Sequence, residues 1–403
     1  MKNKERNKLQ VKLNKKTIRS LLSVICGLLV IAGICVGLHL YKKNKADRTV
    51  RVAFYGLSEE MMALIKETMP QEENIILEYD VISPDAFDSS VVKQKYDMLF
   101  TWRGEITDTL SPSAEDIPVK VLENLPNSLR NKKCIPLLLD HCELTFSREV
   151  LKKIDREVPM SFKAFSDILN SSSNVVFSPF YCNGADDRLM IDFIGALVMA
   201  KGGLTAYNKL IEELRKAESL NSMLDIKLDG KELTLRSLLD MLKTWPDKGY
   251  THPSWYNGRG NDLVFFAEDK QLACFFTFLS EHRQISYNII KNYEASLFPP
   301  DVSAENYGLI APSVCLMLLS DNSNSKRYVS AFFTQEAQEM ISDKTSLAPV
   351  HLRSQAFDRQ ADDVRFWAAS CAGGAVPDLY LAVYQRKNKE LVKICSEIRA
   401  YVK

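Results

Sequence analysis

The chain has 403 residues, of which 46% are apolar and 26% charged, a composition typical of a globular protein with one large core or two medium ones. Its formal net charge of +1 hides an uneven distribution. Residues 1–45 hold eleven Lys or Arg and the single acid Glu5, which leaves 41 basic and 50 acidic residues, or a net charge of −9, in the remainder. This acidic body argues against nucleic-acid binding, because neutralising phosphates requires a basic surface.

The N-terminal region has the pattern of a membrane anchor. Residues 21–40 form a nearly unbroken apolar stretch, long enough as a helix to cross a bilayer. Eight Lys or Arg precede it, and this charge bias keeps the N-terminus in the cytoplasm. We therefore predict a basic cytoplasmic tail at 1–19, a transmembrane anchor or signal segment at 20–41, and a body outside the cytoplasm at the cell membrane, as a single-pass or lipid-anchored protein.

The sequence allows three alternatives for cleavage or lipidation of this apolar segment. The sequence VIAGIC before Val36 resembles a bacterial lipoprotein cleavage box, but Ile34 stands where such a box usually has a small residue. An uncleaved anchor, lipidation at Cys35 after cleavage, and ordinary signal cleavage are the three alternatives.

The body contains cysteines but no metal-binding spacing. Their number is odd and their spacing irregular, so they are either disulfide partners outside the cytoplasm or small buried hydrophobic residues. They are Cys134, Cys142, Cys182, Cys274, Cys315, Cys371 and Cys395. We predict no metal site and no cofactor.

The first elements of the body alternate between strand and helix. Residues 51–57 read as a strand, and a helix with Ser58 as its N-cap follows. Residues 74–82 and 96–102 read as the next two strands. Strand, helix, strand in this order predicts parallel pairing in an open α/β sheet.

Ligands of such sheets bind beyond the carboxyl ends of the strands. The first strand ends at Tyr55 and is followed by Ser58, and the third ends at Trp102 and Arg103. These side chains are expected at one edge of the sheet. Trp102 alternatively caps the core, and Arg103 is either a surface charge or a sign of an acid-bearing ligand.

The segment 134–169 resembles the crossover of the extracellular solute-binding proteins of family 1, the maltose-binding-like receptors of ABC importers. Phe146 and Ser147 stand where that family has Tyr-Asn, before a helix. The family's capped helix with the pattern P-x-T-W-x-E is matched by Pro159, Ser161, Phe162 and Phe165.

Further matches to this family follow in the same order. Phe266 and Ala273 match its segment before a strand, with Lys270 and Gln271 where Gly-Lys is usual and Cys274 where methionine is. Residues 296–300 correspond to its PFP segment, and 346–350 to its G-x-x-P segment. The resemblance covers about residues 50–403.

The resemblance implies an α/β protein with the two-lobe type II periplasmic-binding-protein fold and an inter-lobe cleft, preceded by the N-terminal transmembrane helix. The N-terminal lobe would comprise residues 50–145 and 300–335. The C-terminal lobe would comprise 146–299 and 336–403. A ligand would lie between the lobes and be buried by hinge closure.

The resemblance also implies which side chains line the cleft. The predicted ligand-binding residues are Tyr55, Ser58, Trp102, Arg103, Tyr181, Asp186, Phe276, Phe278, Asp378 and Tyr380. Several have an alternative interpretation. Phe276 and Phe278 lie in an apolar run that suits core packing, and Asp186 is equally suited to a helix N-terminus.

Catalytic signatures are lacking in the sequence: it has no G-x-S-x-G, no HExxH and no phosphate-binding glycine loop. We predict no enzyme, but a membrane-anchored extracytoplasmic receptor that captures a carbohydrate or related polar solute for ABC permease subunits. A ligand-sensing subunit and a degenerate structural module of the same fold are the alternatives. The identity of the solute is not encoded in any motif.

Overall fold

The computed structural model describes residues 48–356 and 358–403. The predicted cytoplasmic tail, the transmembrane segment and Cys35 lie outside the described residues.

Most strands belong to two separate sheets. The first sheet, in the spatial order β11-β4-β10-β3-β1-β2, consists of β1 (Thr49–Tyr55), β2 (Ile76–Ile82), β3 (Met98–Trp102), β4 (Ile135–Leu139), β10 (Ser313–Leu318) and β11 (Ala348–Pro349). The second, in the order β6-β7-β5-β8, consists of β5 (Cys142–Ser147), β6 (Ser178–Cys182), β7 (Leu272–Phe278) and β8 (Tyr293–Ser296). A short parallel pair joins β9 (Leu309–Ile310) to β12 (Ala375–Val376).

Helices cover both sheets. In chain order they are α1 (Glu59–Thr68), α2 (Ser89–Lys95), α3 (Glu105–Leu110), α4 (Val119–Leu122), α5 (Arg148–Lys153), α6 (Phe162–Ser172), α7 (Asp187–Leu214), α8 (Leu235–Lys243), α9 (Gly260–Glu268), α10 (Leu279–His282), α11 (Tyr287–Ile290), α12 (Ser323–Phe332), α13 (Gln335–Thr345), α14 (Arg359–Ser370), α15 (Leu379–Tyr384) and α16 (Asn388–Val402).

The predicted parallel pairing is confirmed for the first and third strands. β1 runs parallel to β3, with Tyr55 opposite Thr101. β10 returns antiparallel between β3 and β4, which makes the sheet mixed. The predicted caps also form, because Ser58 and Ser161 accept hydrogen bonds from the first turns of α1 and α6.

The chain passes between the sheets at several points. Asp140 and His141 alone separate β4 of the first sheet from β5 of the second. The chain returns between β8 and β10, and β11 also pairs in the first sheet. That last pairing differs from the expectation that all of 336–403 accompanies the second sheet. The lobe boundaries themselves stay a prediction.

Helix α7 is the central helix of the second half. It is long and apolar enough to cross a membrane, but 83% of its most apolar window is buried within the protein, as in a core helix. Gly203 interrupts its helical dihedral angles at a φ of 69°, where an added Cβ would lie 2.3 Å from Asn306. A side chain is excluded there, and the helix kinks.

All seven body cysteines are buried as free thiols. This placement gives them the role of small hydrophobic residues, one of the two interpretations that their spacing left open.

Candidate functional site

The carboxyl ends of β1 and β3 place two predicted aromatic residues at neighbouring strand ends of the first sheet. Tyr55 is buried, and its ring meets the edge of Phe87 with centroids 5.5 Å apart. Trp102 is half-buried at the end of the neighbouring strand. The parallel register therefore brings these predicted residues to one edge, as the strand order implies.

Ser58 and Arg103, predicted at the same edge, both have structural partners. The Ser58 hydroxyl accepts a hydrogen bond from the Met61 amide at 3.2 Å and caps α1. The Arg103 guanidinium donates to the carbonyl oxygen of Ala375, the first residue of β12. Their contact with a ligand stays a prediction.

Arg188 is the centre of a buried ionic cluster in the second half. It lies in the first turn of α7, which Asp186 caps by accepting from the Leu189 amide at 2.9 Å. The Arg188 guanidinium donates to the Asp378 carboxylate at 2.6 Å and lies 3.7 Å from Asp192, and both carboxylates are fully buried. Asp378 also caps α15.

Two predicted aromatic residues pack on this guanidinium. The Arg188 carbon Cζ lies 4.4 Å from the ring centre of Phe278 and 5.4 Å from that of Tyr380. The Tyr380 amide donates to Asp192 at 2.9 Å, which fixes the start of α15. The structure thus brings Phe278, Asp378 and Tyr380 together as cation–π and ionic partners of one arginine.

Arg188 was not among the predicted site residues. A signal for it exists in the sequence, because Arg188 and Asp192 stand one helical turn apart in an otherwise apolar helix. A charged pair on a buried helix requires further partners, which spacing alone does not identify.

Electrostatics set the protonation of this cluster. Burial raises the pKa of Asp192 well above its ordinary value, and Asp378 raises it further, against the opposing effect of Arg188. Burial by itself would lower the pKa of Arg188, but Asp378 and Asp192 outweigh it, so the arginine stays charged.

A second group of polar residues lies at the crossing between the sheets. Asp140 is buried and accepts from the Ser280 hydroxyl at 2.6 Å and the Ser280 amide at 3.0 Å. Burial raises the pKa of Asp140 in spite of these bonds and of nearby Arg188. Glu281 is exposed, but partial burial of its carboxyl group raises its pKa, against the bond donated by Thr277 at 2.8 Å.

The segment around α15 contacts the end of β3 directly. The Gln385 amide group donates to the Trp102 carbonyl oxygen at 3.2 Å and accepts from the Ile106 amide at 3.1 Å. Arg386 donates to Glu105 at 2.5 Å. These bonds join the second half of the molecule to the edge that carries Tyr55 and Trp102.

Tyr181 on β6 and Phe276 on β7 are both buried in the second half of the molecule. The Tyr181 hydroxyl donates to the Arg259 carbonyl oxygen at 2.6 Å. Phe276 is fully buried with its ring centre 5.4 Å from that of Phe193. The predicted ligand role of Phe276 is corrected to core packing, because strand alternation and the aromatic cluster around Phe193 leave it no free face.

Two other grooves hold few of the predicted residues. One of about 590 Å³ is lined by His282, Arg283 and Asp358, and Arg283 pairs with Asp358 at 2.7 Å. Another, of about 600 Å³, is lined by Ser58, by polar and apolar residues of α1, and by Lys344. Within residues 48–356 and 358–403, no group of three or more His, Cys, Asp or Glu is arranged to hold a metal ion.

Solved structures identify the fold as that of bacterial solute receptors. No protein-family model and no curated protein sequence matches the chain. The bacterial solute receptor AcbH matches with a TM-score of 0.68 and 11% identity over 87% of this chain and 96% of AcbH.

The MsmE binding protein of Bacillus subtilis matches with a TM-score of 0.64 and 12% identity over 88% of this chain and 96% of MsmE. RafE of Streptococcus pneumoniae matches with a TM-score of 0.60 and 12% identity over 88% and 97%. The predicted resemblance to two-lobe receptors is therefore confirmed for the fold.

Proposed function

We propose that this protein is a membrane-anchored extracytoplasmic receptor that captures a carbohydrate or a related polar solute for ABC-type import. One observation carries the proposal. Side chains of the first sheet and of the segment around α15 approach each other at one place: the Tyr55 hydroxyl has Arg386 and Tyr380 as electrostatic neighbours, and the Tyr380 ring centre lies 5.4 Å from Cζ of Arg188.

The chemistry of these side chains suits a sugar. The C–H face of a sugar ring packs on an aromatic plane, and its hydroxyl groups need donors and acceptors held in place. The half-buried rings of Trp102 and Tyr380 offer such planes, and the half-buried side chains of Ser280 and Arg188, held by Asp140 and Asp378, offer fixed polar groups. The preference of AcbH for β-D-galactopyranose supports the same substrate class for this fold.

The membrane-related part of the proposal rests on the sequence. The apolar stretch at 21–40 and the basic residues before it support an anchor with the body outside, where ABC permease subunits would receive the solute. Protease treatment of intact cells tests this. Digestion of the body, with residues 1–19 protected, is expected, whereas a protected body would contradict it.

One observation favours a second candidate, a degenerate module of the same fold. An added Cβ at Gly104 would lie 2.2 Å from the Leu381 carbonyl oxygen, so α15 packs closely against the residue that follows β3. A module that no longer opens would have such a contact. A ligand-sensing subunit is a third candidate, distinguished from an importer by whether deletion of the gene abolishes solute uptake.

Native mass spectrometry of the gently purified full chain distinguishes a solute receptor from a degenerate module of the same fold. A co-purifying small molecule with the mass of a saccharide supports the receptor. A thermal-unfolding screen against mono- and oligosaccharides complements it, because a ligand at a hundred times its dissociation constant adds about 2.7 kcal/mol of stability. If no small molecule co-purifies and no saccharide shifts the unfolding temperature, the receptor proposal is contradicted and the degenerate module is favoured.

A further inference from the structure

Arg103 lines a cavity of about 460 Å³ that contains none of the other predicted ligand-binding residues. The cavity lies between the end of β3, residues 128–132 before β4, and the segment that includes Gly373 and Ala375. It is therefore distinct from the proposed sugar site.

The charged side chains on the wall of this cavity are all cations. They belong to Arg103, Arg130 and Lys132, and no Asp or Glu of the described residues lines the cavity. This positive charge stands in a body with 41 basic and 50 acidic residues, a net charge of −9. Cations gathered in a concave site attract small anions, because the surrounding protein of low dielectric focuses their electric field.

Carbonyl oxygens, and not carboxylates, hold the two arginines of this cavity. The Arg103 guanidinium donates to the carbonyl oxygen of Ala375. The Arg130 guanidinium donates to the carbonyl oxygens of Leu125 at 2.9 Å and Glu123 at 3.4 Å. A neutral carbonyl group orients a guanidinium but does not neutralise its charge, so both arginines keep a charge that an anion can bind.

The lack of a carboxylate partner sets Arg103 apart from other half-buried arginines. Those with a carboxylate partner include Arg188 with Asp378, Arg283 with Asp358, Arg365 with Asp362, and Arg399 with Asp187. Arg103 is half-buried, and within the part of the chain that the structure describes its side chain bonds only to Ala375. Withdrawing a charge from water without a counter-charge is costly, and a bound anion removes that cost.

Lys132 also keeps its charge unpaired. The Asn131 side-chain oxygen accepts a hydrogen bond from the Lys133 amide at 2.9 Å, which fixes the turn on either side of Lys132. Asp116, a carboxylate in electrostatic contact with Lys132, forms its ion pair with Lys133 at 2.8 Å. The Lys132 ammonium group therefore has no ion pair among the described residues.

We infer that this cavity binds a phosphate group, either as free phosphate or as part of a small organic phosphate. Guanidinium groups bind phosphate oxygens in pairs, and a lysine adds a point charge, so three cations suit a group with about two negative charges. A volume of about 460 Å³ exceeds that of one phosphate ion and leaves room for an organic substituent. The site goes beyond the proposed capture of a sugar and does not depend on it.

Isothermal titration of the purified full chain at low ionic strength tests this site, with inorganic phosphate, glycerol 3-phosphate and chloride as probes. We expect the phosphate probes to bind with dissociation constants below about 1 mM and chloride to bind much more weakly. Tighter binding of glycerol 3-phosphate would identify an organic phosphate as the ligand, and equal or tighter binding of inorganic phosphate would identify the free ion. Phosphate probes that bind no more tightly than chloride would overturn the proposal.

Two variants locate the bound phosphate in this cavity. Lys132→Gln removes an exposed charge, and Arg103→Gln keeps an N–H donor for Ala375, so both are expected to fold. Each is expected to weaken phosphate binding by about tenfold. Lys152→Gln removes an exposed lysine of α5 that does not line the cavity, and this matched control should leave the affinity unchanged.

The pattern across the three variants decides where phosphate binds. Weakening by Lys132→Gln and Arg103→Gln alone supports the cavity. Equal weakening by Lys152→Gln would show attraction to the overall charge of the protein, and unchanged affinity in Lys132→Gln and Arg103→Gln would show binding elsewhere. Either of these two results would overturn the proposal and leave the receptor function untouched.

Discussion

The Arg188 guanidinium donates a 2.6 Å hydrogen bond to the Asp378 carboxylate, which joins the first turn of α7 to the N-cap of α15. This bond connects two helices that are 190 residues apart in sequence. It positions Tyr380 and holds α15 where the segment after it meets the end of β3.

Loss of this arginine is expected to destabilise the protein. Arg188→Met leaves Asp378 and Asp192 buried without a cation, which should lower the free energy of unfolding by about 3 kcal/mol in urea denaturation. Arg148→Met is the control, because Arg148 forms an exposed pair with Glu294 and should change stability by less than about 1 kcal/mol. Equal small losses for both variants would contradict the structural role.

A methyl group at Gly104 is expected to separate α15 from the first sheet. Gly104→Ala places a Cβ 2.2 Å from the Leu381 carbonyl oxygen, so backbone must move. We expect a larger radius of gyration in small-angle scattering of the ligand-free protein. Gly260→Ala, whose added Cβ meets only Asn183 at 3.7 Å, is the control. An unchanged radius of gyration in both variants would show that the backbone near Gly104 adjusts locally and that α15 stays in contact with the first sheet.

Phe276 is expected to behave as a core residue. Phe276→Ala removes a fully buried ring and should lower the free energy of unfolding by about 3 to 5 kcal/mol in chemical denaturation. Phe265→Ala is the matched control, because that ring is 59% exposed. If Phe276→Ala instead keeps wild-type stability and loses ligand binding, the core assignment is wrong.

Tyr380 is expected to contribute to binding more than to folding. Its half-buried ring faces the Arg188 cluster, and Tyr380→Ala should weaken saccharide binding by about tenfold in titration calorimetry. Tyr287→Ala, which removes a ring that is 76% exposed, serves as the comparison and should leave the affinity unaltered. Unaltered affinity in Tyr380→Ala would remove this ring from the site.

His141 is expected to make stability depend on pH. Burial lowers its pKa from 6.5 to about 4, although Glu143 opposes the shift. Below pH 6.5 the unfolded chain takes up a proton that the folded chain does not, so stability is lost as pH falls towards 4.

Relative to His141→Phe, the wild type should lose on the order of 3 kcal/mol between pH 7 and pH 4. The prediction concerns the difference in pH dependence between the wild type and the variant. In both proteins the raised pKa values of Asp140 and Asp192 increase stability as pH falls, which is opposite to the effect of His141. Parallel pH profiles from urea titrations would show that His141 titrates normally in the folded protein.

The sequence by itself determined the first strands, the helix caps at Ser58 and Ser161, and which strand ends are neighbours in the first sheet. Alternation of apolar residues and the order of strand and helix are local, and they placed Tyr55 and Trp102 at neighbouring strand ends. Only the tertiary structure decided that Arg188 pairs with Asp378, that the Phe276 ring packs on Phe193, and that Arg103 donates a hydrogen bond to Ala375. These partners come from segments that are far apart in the sequence. A buried charge must pair with an opposite charge or a hydrogen-bonding group, but the spacing of residues along the chain does not show which distant residue that is.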